Sequence, residues 1–209
     1  MRIGVLGGSF DPIHIGHLII AEEARTRLSL ERVIFVPAAL QWLKKVPHAA
    51  SPEGRLEMVR LAVASHPAFE VSDVEVRRPG PSYTVDTLAL LQDRLGPAAE
   101  LFFILGLDSL AELPQWHEPQ RLLQLCRLVA VPRPGEASPD MGALEGQLPG
   151  LRARLVTLEG APGIAVSSSV LRARLARGES VRYLVPEAVE EYIRREGLYR
   201  PGATAPAGS

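Results

Sequence analysis

Two histidines, His14 and His17, close the stretch Gly7-Gly8-Ser9-Phe10-Asp11-Pro12-Ile13-His14-Ile15-Gly16-His17. Imidazoles three residues apart project from one side of a first helical turn. The glycines ahead of them let the main chain approach a phosphate group without a Cβ in the way. Free helix N–H groups and the positive end of the dipole then face the anion. Such a donor cluster suits phosphate oxygens and acts most strongly where negative charge grows in a transition state. A zinc pair uses the same spacing, but no third ligand of the right kind sits nearby in sequence. The plain alternative is a surface turn with two solvated histidines.

A second cluster is Val166-Ser167-Ser168-Ser169-Val170-Leu171-Arg172. Serines at a helix start satisfy its free N–H groups, and their hydroxyls also donate to an anion. Arg172 follows about one turn later, within reach of the same volume, and binds phosphate in a bidentate way. An ordinary capped helix with a surface arginine has the same composition. In Gly106-Leu107-Asp108 the carboxylate suits the vicinal hydroxyls of a ribose, and Trp116 offers a flat face for stacking. As plain sequence, Ser82-Tyr83-Thr84-Val85-Asp86-Thr87-Leu88 is a capped helix start.

These residues need elements to hold them. The apolar run at residues 3–6 predicts a strand, and residues 18–25, apolar on one side and charged on the other, predict a helix. The His14–His17 stretch is therefore a strand-to-helix crossover. Residues 32–37 predict a second buried strand, and Ser51-Pro52-Glu53-Gly54 predicts a helix start. The alternation over residues 69–76 predicts a strand with one exposed face, followed by a helix over 84–95 with Thr84 near its cap. The most hydrophobic run, residues 101–105, predicts a central strand; 127–131 and 155–158 predict two more. Residues 136–150 lose clear pattern and are expected to be a mobile surface excursion. Helices follow Ser167 and Pro186, and the small-residue tail 201–209 is expected to be disordered. Strands alternating with helices imply an α/β, doubly wound, mostly parallel sheet with helices on both faces, in a single domain over residues 1–200.

Composition sets bounds on partners. The formal net charge of −1 argues against a broad nucleic-acid-binding face, while leaving room for a small basic pocket. The single cysteine, Cys126, lies in an apolar run, which excludes a disulfide framework and points to a buried packing thiol. No apolar run reaches the ~20 residues of a membrane span, and no secretory leader precedes the first strand. A cytoplasmic protein is expected, with the oligomeric state, a homo-oligomer included, left open.

The first stretch resembles the His-x-Gly-His signature of the nucleotidyltransferase superfamily, and its Gly-Gly-Ser-Phe-Asp-Pro-Ile-His form is similar to nicotinate-mononucleotide adenylyltransferases. The resemblance runs over residues 1–199 and implies a Rossmann-like fold. It implies AMP transfer from ATP to nicotinate mononucleotide, giving deamido-NAD and pyrophosphate, with Mg2+ carried on the ATP. Residues 166–172 resemble the family's Ile-Ser-Ser-Thr-x-Ile-Arg motif, with Ser169 for threonine and Leu171 for isoleucine. The resemblance implies catalytic roles for His14, His17, Lys44 and Arg172. ATP is then bound by Gly7, Gly8, Ser9, Phe10, His17, Gly106, Asp108, Ser167, Ser168 and Arg172. The mononucleotide falls to Ser82, Tyr83, Thr84, Trp116, Arg133 and Lys44. Trp116 would stack on the pyridine ring, and the Thr84 N–H would meet its carboxylate. Lys44 aligns with the phosphate-contacting cation of the family's Pro-Pro-His-Lys segment, with Lys45 an alternative, and Arg133 with an Arg-Pro-Gly turn. His66 and His117 match no motif and read as structural or surface residues. The same chemistry on nicotinamide mononucleotide or pantetheine phosphate, and a non-catalytic nucleotide-binding module, are the alternatives.

Overall fold

The computed structural model describes residues 1–39, 48–132 and 138–200. Its frame is a six-stranded sheet in the order β3-β2-β1-β4-β5-β6, with every neighbouring pair parallel. The strands are β1 (Arg2–Gly8), β2 (Arg32–Pro37), β3 (Phe69–Val71), β4 (Glu100–Gly106), β5 (Cys126–Val131) and β6 (Leu155–Thr157). Parallel strands need crossovers, and helices supply them: α1 (Ile15–Arg27) joins β1 to β2 and α2 (Pro52–Val63) joins β2 to β3. Short α3 (Val74–Arg77) and α4 (Thr84–Leu95) lead to β4. Then α5 (Leu107–Glu112) and α6 (Pro119–Leu125) lead to β5, and α7 (Met141–Gln147) and α8 (Leu151–Arg154) to β6. The chain closes with α9 (Ser168–Ala176) and α10 (Glu187–Arg195).

Both faces of the sheet are covered, so its strands read as continuous apolar runs. Alternate residues face opposite ways: Phe102 and Ile104 join one core with α1, α2, α9 and α10, while Leu101, Phe103 and Leu105 join the other with α4 to α8. Each fully buried aliphatic or aromatic side chain contributes roughly 1.5–3 kcal/mol. Cys126 is one of these core residues; burial pushes its thiol up to about 12, so it packs and stays protonated.

Two expectations need correction. The strand expected over 69–76 ends at Val71, where the Ser72 N–H closes the ladder on the Phe35 carbonyl at 2.9 Å. Beyond Asp73 the chain turns into α3, which buries the consecutive Val74 and Glu75 together. A strand would send them to opposite faces. The surface excursion expected over 136–150 holds a helix, α7, over Met141–Gln147. The Asp140 carboxylate caps α7 by accepting from the Gly142 and Ala143 N–H groups at 2.8 and 3.1 Å. Leu144 on α7, Leu148 just past its end and Leu151 at the start of α8 are all buried. The tail, residues 201–209, lies outside the described residues.

β1 leads outward through β2 and β3, whereas β4 leads the other way through β5 and β6. The order therefore reverses between β1 and β4, and a crevice opens at their carboxyl ends, beyond Gly8 and Gly106. Leu128, fully buried on β5, tests the sheet's core. Leu128→Ala is expected to lower unfolding free energy by about 2–5 kcal/mol with an unchanged denaturant slope, measured by urea titration.

Candidate active site

β1 ends in glycines because an aromatic ring lies close by. A Cβ at Gly7 would meet Phe103 at 3.3 Å, and one at Gly8 would meet the Phe10 ring at 3.2 Å. Phe10 itself turns the chain with φ of +48°, a conformation that a bulky residue keeps only when its surroundings fix it. His14 then takes the N-cap position of α1. Its N–H donates to His17 Nδ1 at 3.2 Å, and the two rings stack with centroids 3.7 Å apart. Because Nδ1 of His17 accepts, Nε2 is that ring's donor nitrogen. Phe10 meets the His17 ring edge-on at 5.0 Å, which fixes its plane.

The turn is held from behind. Asp11 is 2% exposed, and its carboxylate accepts from the Ala49 N–H at 2.8 Å and the Ala50 N–H at 3.1 Å. The Tyr199 hydroxyl donates to it at 2.8 Å. Arg55, on α2, is fully buried and donates to the carbonyls of Ser9 at 2.7 Å, Ala39 at 3.2 Å and Ala50 at 3.3 Å. Burial pulls the Arg55 pKa down, and the Asp11 charge is the first of the groups that oppose it.

The serine cluster sits on the same turn. Ser167 caps α9, accepting from the Val170 N–H at 3.3 Å. Ser168 Oγ donates to the Pro12 carbonyl at 2.9 Å, and Arg172 Nη1 donates to the Asp11 carbonyl at 2.7 Å. A guanidinium has five N–H donors, so this bond leaves others for an anion. Across the crevice Gly106 caps α5 and Asp108 falls in its first turn. Trp116 lies edge-on to Phe103 at 6.0 Å, and Tyr83 stacks on His117 at 4.1 Å.

The histidine turn, the serine cluster and the start of α5 open onto one cleft of about 610 Å³. Its walls include Gly7, Gly8, Ser9, Phe10, His14, His17, Ser82, Thr84, Gly106, Asp108, Trp116, Ser167, Ser168 and Arg172. Tyr83 is the N-cap of α4 and Thr84 its first helical residue, as the helix expected over 84–95 requires. Lys44, Lys45 and Arg133 lie outside the described residues. Among the described residues there is no group of three or more His, Cys, Asp or Glu that could hold a metal ion. No helix among them is long and apolar enough to cross a membrane.

Sequence reasoning missed four groups here. His117 reaches the cleft wall through its stack on Tyr83, and Asp11, Arg55 and Glu75 brace the walls from inside. The only available signals were a charged residue within an otherwise apolar helical face, at Arg55, and a carboxylate next to proline, at Asp11. Glu75 accepts from Thr87 Oγ1 at 2.7 Å and is hydrogen-bonded to Ser82. Ser82 Oγ in turn accepts from the Ala39 N–H at 3.0 Å, which ties the start of α4 to the end of β2.

The fold is of the Rossmann-like type, with a cleft at the carboxyl ends of β1 and β4. The chain belongs to the cytidylyltransferase-like family, whose model matches residues 5–174. It is similar to a protein of Roseiflexus sp. at 53% identity, covering 95% of this chain and 98% of the relative. A relative from Dehalococcoides mccartyi is 48% identical over 95% of this chain and 97% of its own. Both carry the name probable nicotinate-nucleotide adenylyltransferase. In fold the chain is similar to a solved nicotinic acid mononucleotide adenylyltransferase of Plasmodium falciparum complexed with NaAD. The TM-score is 0.74 at 19% identity, over 95% of this chain and 97% of that one.

Burial holds the Glu75 carboxyl above the usual range, opposed by its bonds from Thr87 and Ser82 and by the Arg78 charge. A folded-state pKa raised above the unfolded value favours the fold at low pH, and that contribution fades as pH rises through the folded value. Replacing the carboxyl by an amide removes this dependence. Glu75→Gln is expected to gain stability relative to the wild type as pH climbs from the ordinary carboxylate value of 4.5 towards neutrality. Urea titrations of both proteins at several pH values measure it.

Proposed function

We propose that this chain transfers AMP from ATP to nicotinate mononucleotide, releasing pyrophosphate and forming deamido-NAD. One observation carries the reading: the histidine turn, the Ser167–Arg172 helix start and the Ser82–Trp116 wall face one cleft at the β1/β4 switch point. The name shared by relatives of 48% and 53% identity over nearly the whole chain supports the acceptor.

The 5′-phosphate of the mononucleotide attacks the α-phosphorus of ATP in line, and the bond to the β-phosphate oxygen breaks. No side chain needs to become a covalent nucleophile, because the substrate phosphate is one. Catalysis is then positioning and charge stabilisation. His17, donating through Nε2, and His14 stabilise charge at the α-phosphate, with Lys44 assisting. Ser167, Ser168 and Arg172 hold the β- and γ-phosphates as they leave. Gly7 to Phe10 let the adenylate lie against the main chain, and Asp108 accepts from its ribose. Trp116 stacks on the pyridine ring, the Thr84 N–H meets its carboxylate with Ser82 and Tyr83 shaping the wall, and Arg133 holds the mononucleotide phosphate. Mg2+ enters as part of the MgATP substrate, held by phosphate oxygens and water. ATP and the mononucleotide are the partners.

The test is pyrophosphate release with MgATP and either the acid or the amide mononucleotide. A preference of about tenfold or more for the acid in kcat/KM is expected. Equal use of both would make the enzyme dual-specific, and release with neither would overturn the reading. His17→Ala is expected to lose about 10²-fold or more in kcat while keeping its melting transition. Near-wild-type turnover in that variant would remove the role given to His17.

A further inference from the structure

The matched family segment ends at residue 174, yet the nucleotide turn is also held by a residue 188 positions away. Tyr199 follows α10, which is anchored on the core by the buried Val189 and Ile193. The Leu198 N–H donates back to the Ile193 carbonyl at 3.0 Å, and Tyr199 then adopts φ of +63°. A tyrosine keeps this left-handed conformation only where its surroundings over-determine it. The residue is 7% exposed, and its hydroxyl lies 2.8 Å from Asp11 Oδ1 and 4.0 Å from Met58 Sδ. Burial, and then the Asp11 charge, push the phenol pKa well up, so the hydroxyl acts as a donor throughout the working pH range.

Asp11 is where this contact meets the site. Its side chain is fixed by the Tyr199 hydroxyl and the Ala49 and Ala50 N–H groups, and its main-chain carbonyl accepts from Arg172 Nη1 at 2.7 Å. Arg172 Nη1 also lies 3.9 Å from the Asp11 carboxylate, and His48 Nδ1 lies 3.8 Å from it. A guanidinium anchored at one nitrogen has fewer orientations left for its remaining donors. Anchoring it before ligand arrives lowers the ordering cost of binding.

We propose that Tyr199 is a positioning residue for ATP: its hydroxyl fixes Asp11, and Asp11 presents the carbonyl that holds Arg172 ready for the triphosphate. This rests on the assignment of Arg172 to the ATP end of the cleft. The C-terminal segment thereby completes the nucleotide site without touching the nucleotide.

Binding of MgATP and of nicotinate mononucleotide is measured by calorimetry for the wild type, Tyr199→Phe, Arg172→Lys and the double variant, each with its melting curve. Tyr199→Phe removes one oxygen and leaves the ring packed. It is expected to weaken MgATP binding by about three- to tenfold and to leave mononucleotide binding within about twofold. In the Arg172→Lys background the same change is expected to cost less than about twofold, because the effect runs through the guanidinium. A loosened fold would weaken both ligands and add in full to Arg172→Lys; either result overturns the proposal, as does unchanged MgATP affinity. If Tyr199→Phe does not stay folded, Asp11→Asn enters the same cycle from the other end with the same expectations. A wild type that binds no MgATP overturns the adenylyltransferase reading and this inference with it. Normal wild-type binding with an insensitive Tyr199→Phe overturns this inference alone.

Discussion

A carboxylate removed from water has to be met by donors, and leaving such a charge unpaired costs roughly 3–5 kcal/mol. Asp11 sits under that constraint in the middle of the nucleotide turn. Its donors come from the segment after β2, at Ala49 and Ala50, and from the end of the chain, at Tyr199. The buried Arg55 balances the charge and fixes the carbonyl of Ser9, two residues earlier in the turn. Satisfying one buried charge thus brings two distant segments, residues 49–55 and Tyr199, onto the stretch that carries His14 and His17.

The sheet decides where that convergence happens. Between β1 and β4 the connections run in opposite directions, so no crossover helix covers the gap above Gly8 and Gly106. The histidine turn after β1 and the start of α9 line one part of the cleft, and the starts of α4 and α5 another. The second wall is braced as the first is, by a buried carboxyl. Glu75 holds Thr87 and Ser82, and Ser82 reaches Ala39. Both walls therefore connect to the strand end of β2, through Ala39 with Arg55 on one side and Ser82 on the other.

Much of this was legible before any coordinates. The apolar runs of β1, β2, β4 and β5 are unmistakable because both sheet faces are covered, and covered faces need no polar alternation. The glycine turn, the histidine pair and the serine-capped α9 are local devices whose geometry lies within one or two helical turns, so spacing alone reveals them. Where reading failed, the competing signal was also local. Residues 69–76 alternate as a strand would, but they pair with β2 only at Val33–Phe35, and α3 forms beyond Asp73. The Asp140 cap of α7 and the buried Leu144 were present in the sequence and hidden by surrounding glycine and proline.

The sequence by itself determined the α/β class, the turn at the end of β1 and the residue types available to a phosphate, because these depend on periodicity and on short-range sterics. Only the tertiary structure decided that Tyr199 meets Asp11, that Arg55 is buried beneath the turn, and that His117 stacks on Tyr83 at the cleft wall. Each of those contacts joins residues that no sequence spacing relates. The partner of a buried charge is selected by the packing of the whole chain, which must supply a donor wherever water has been excluded.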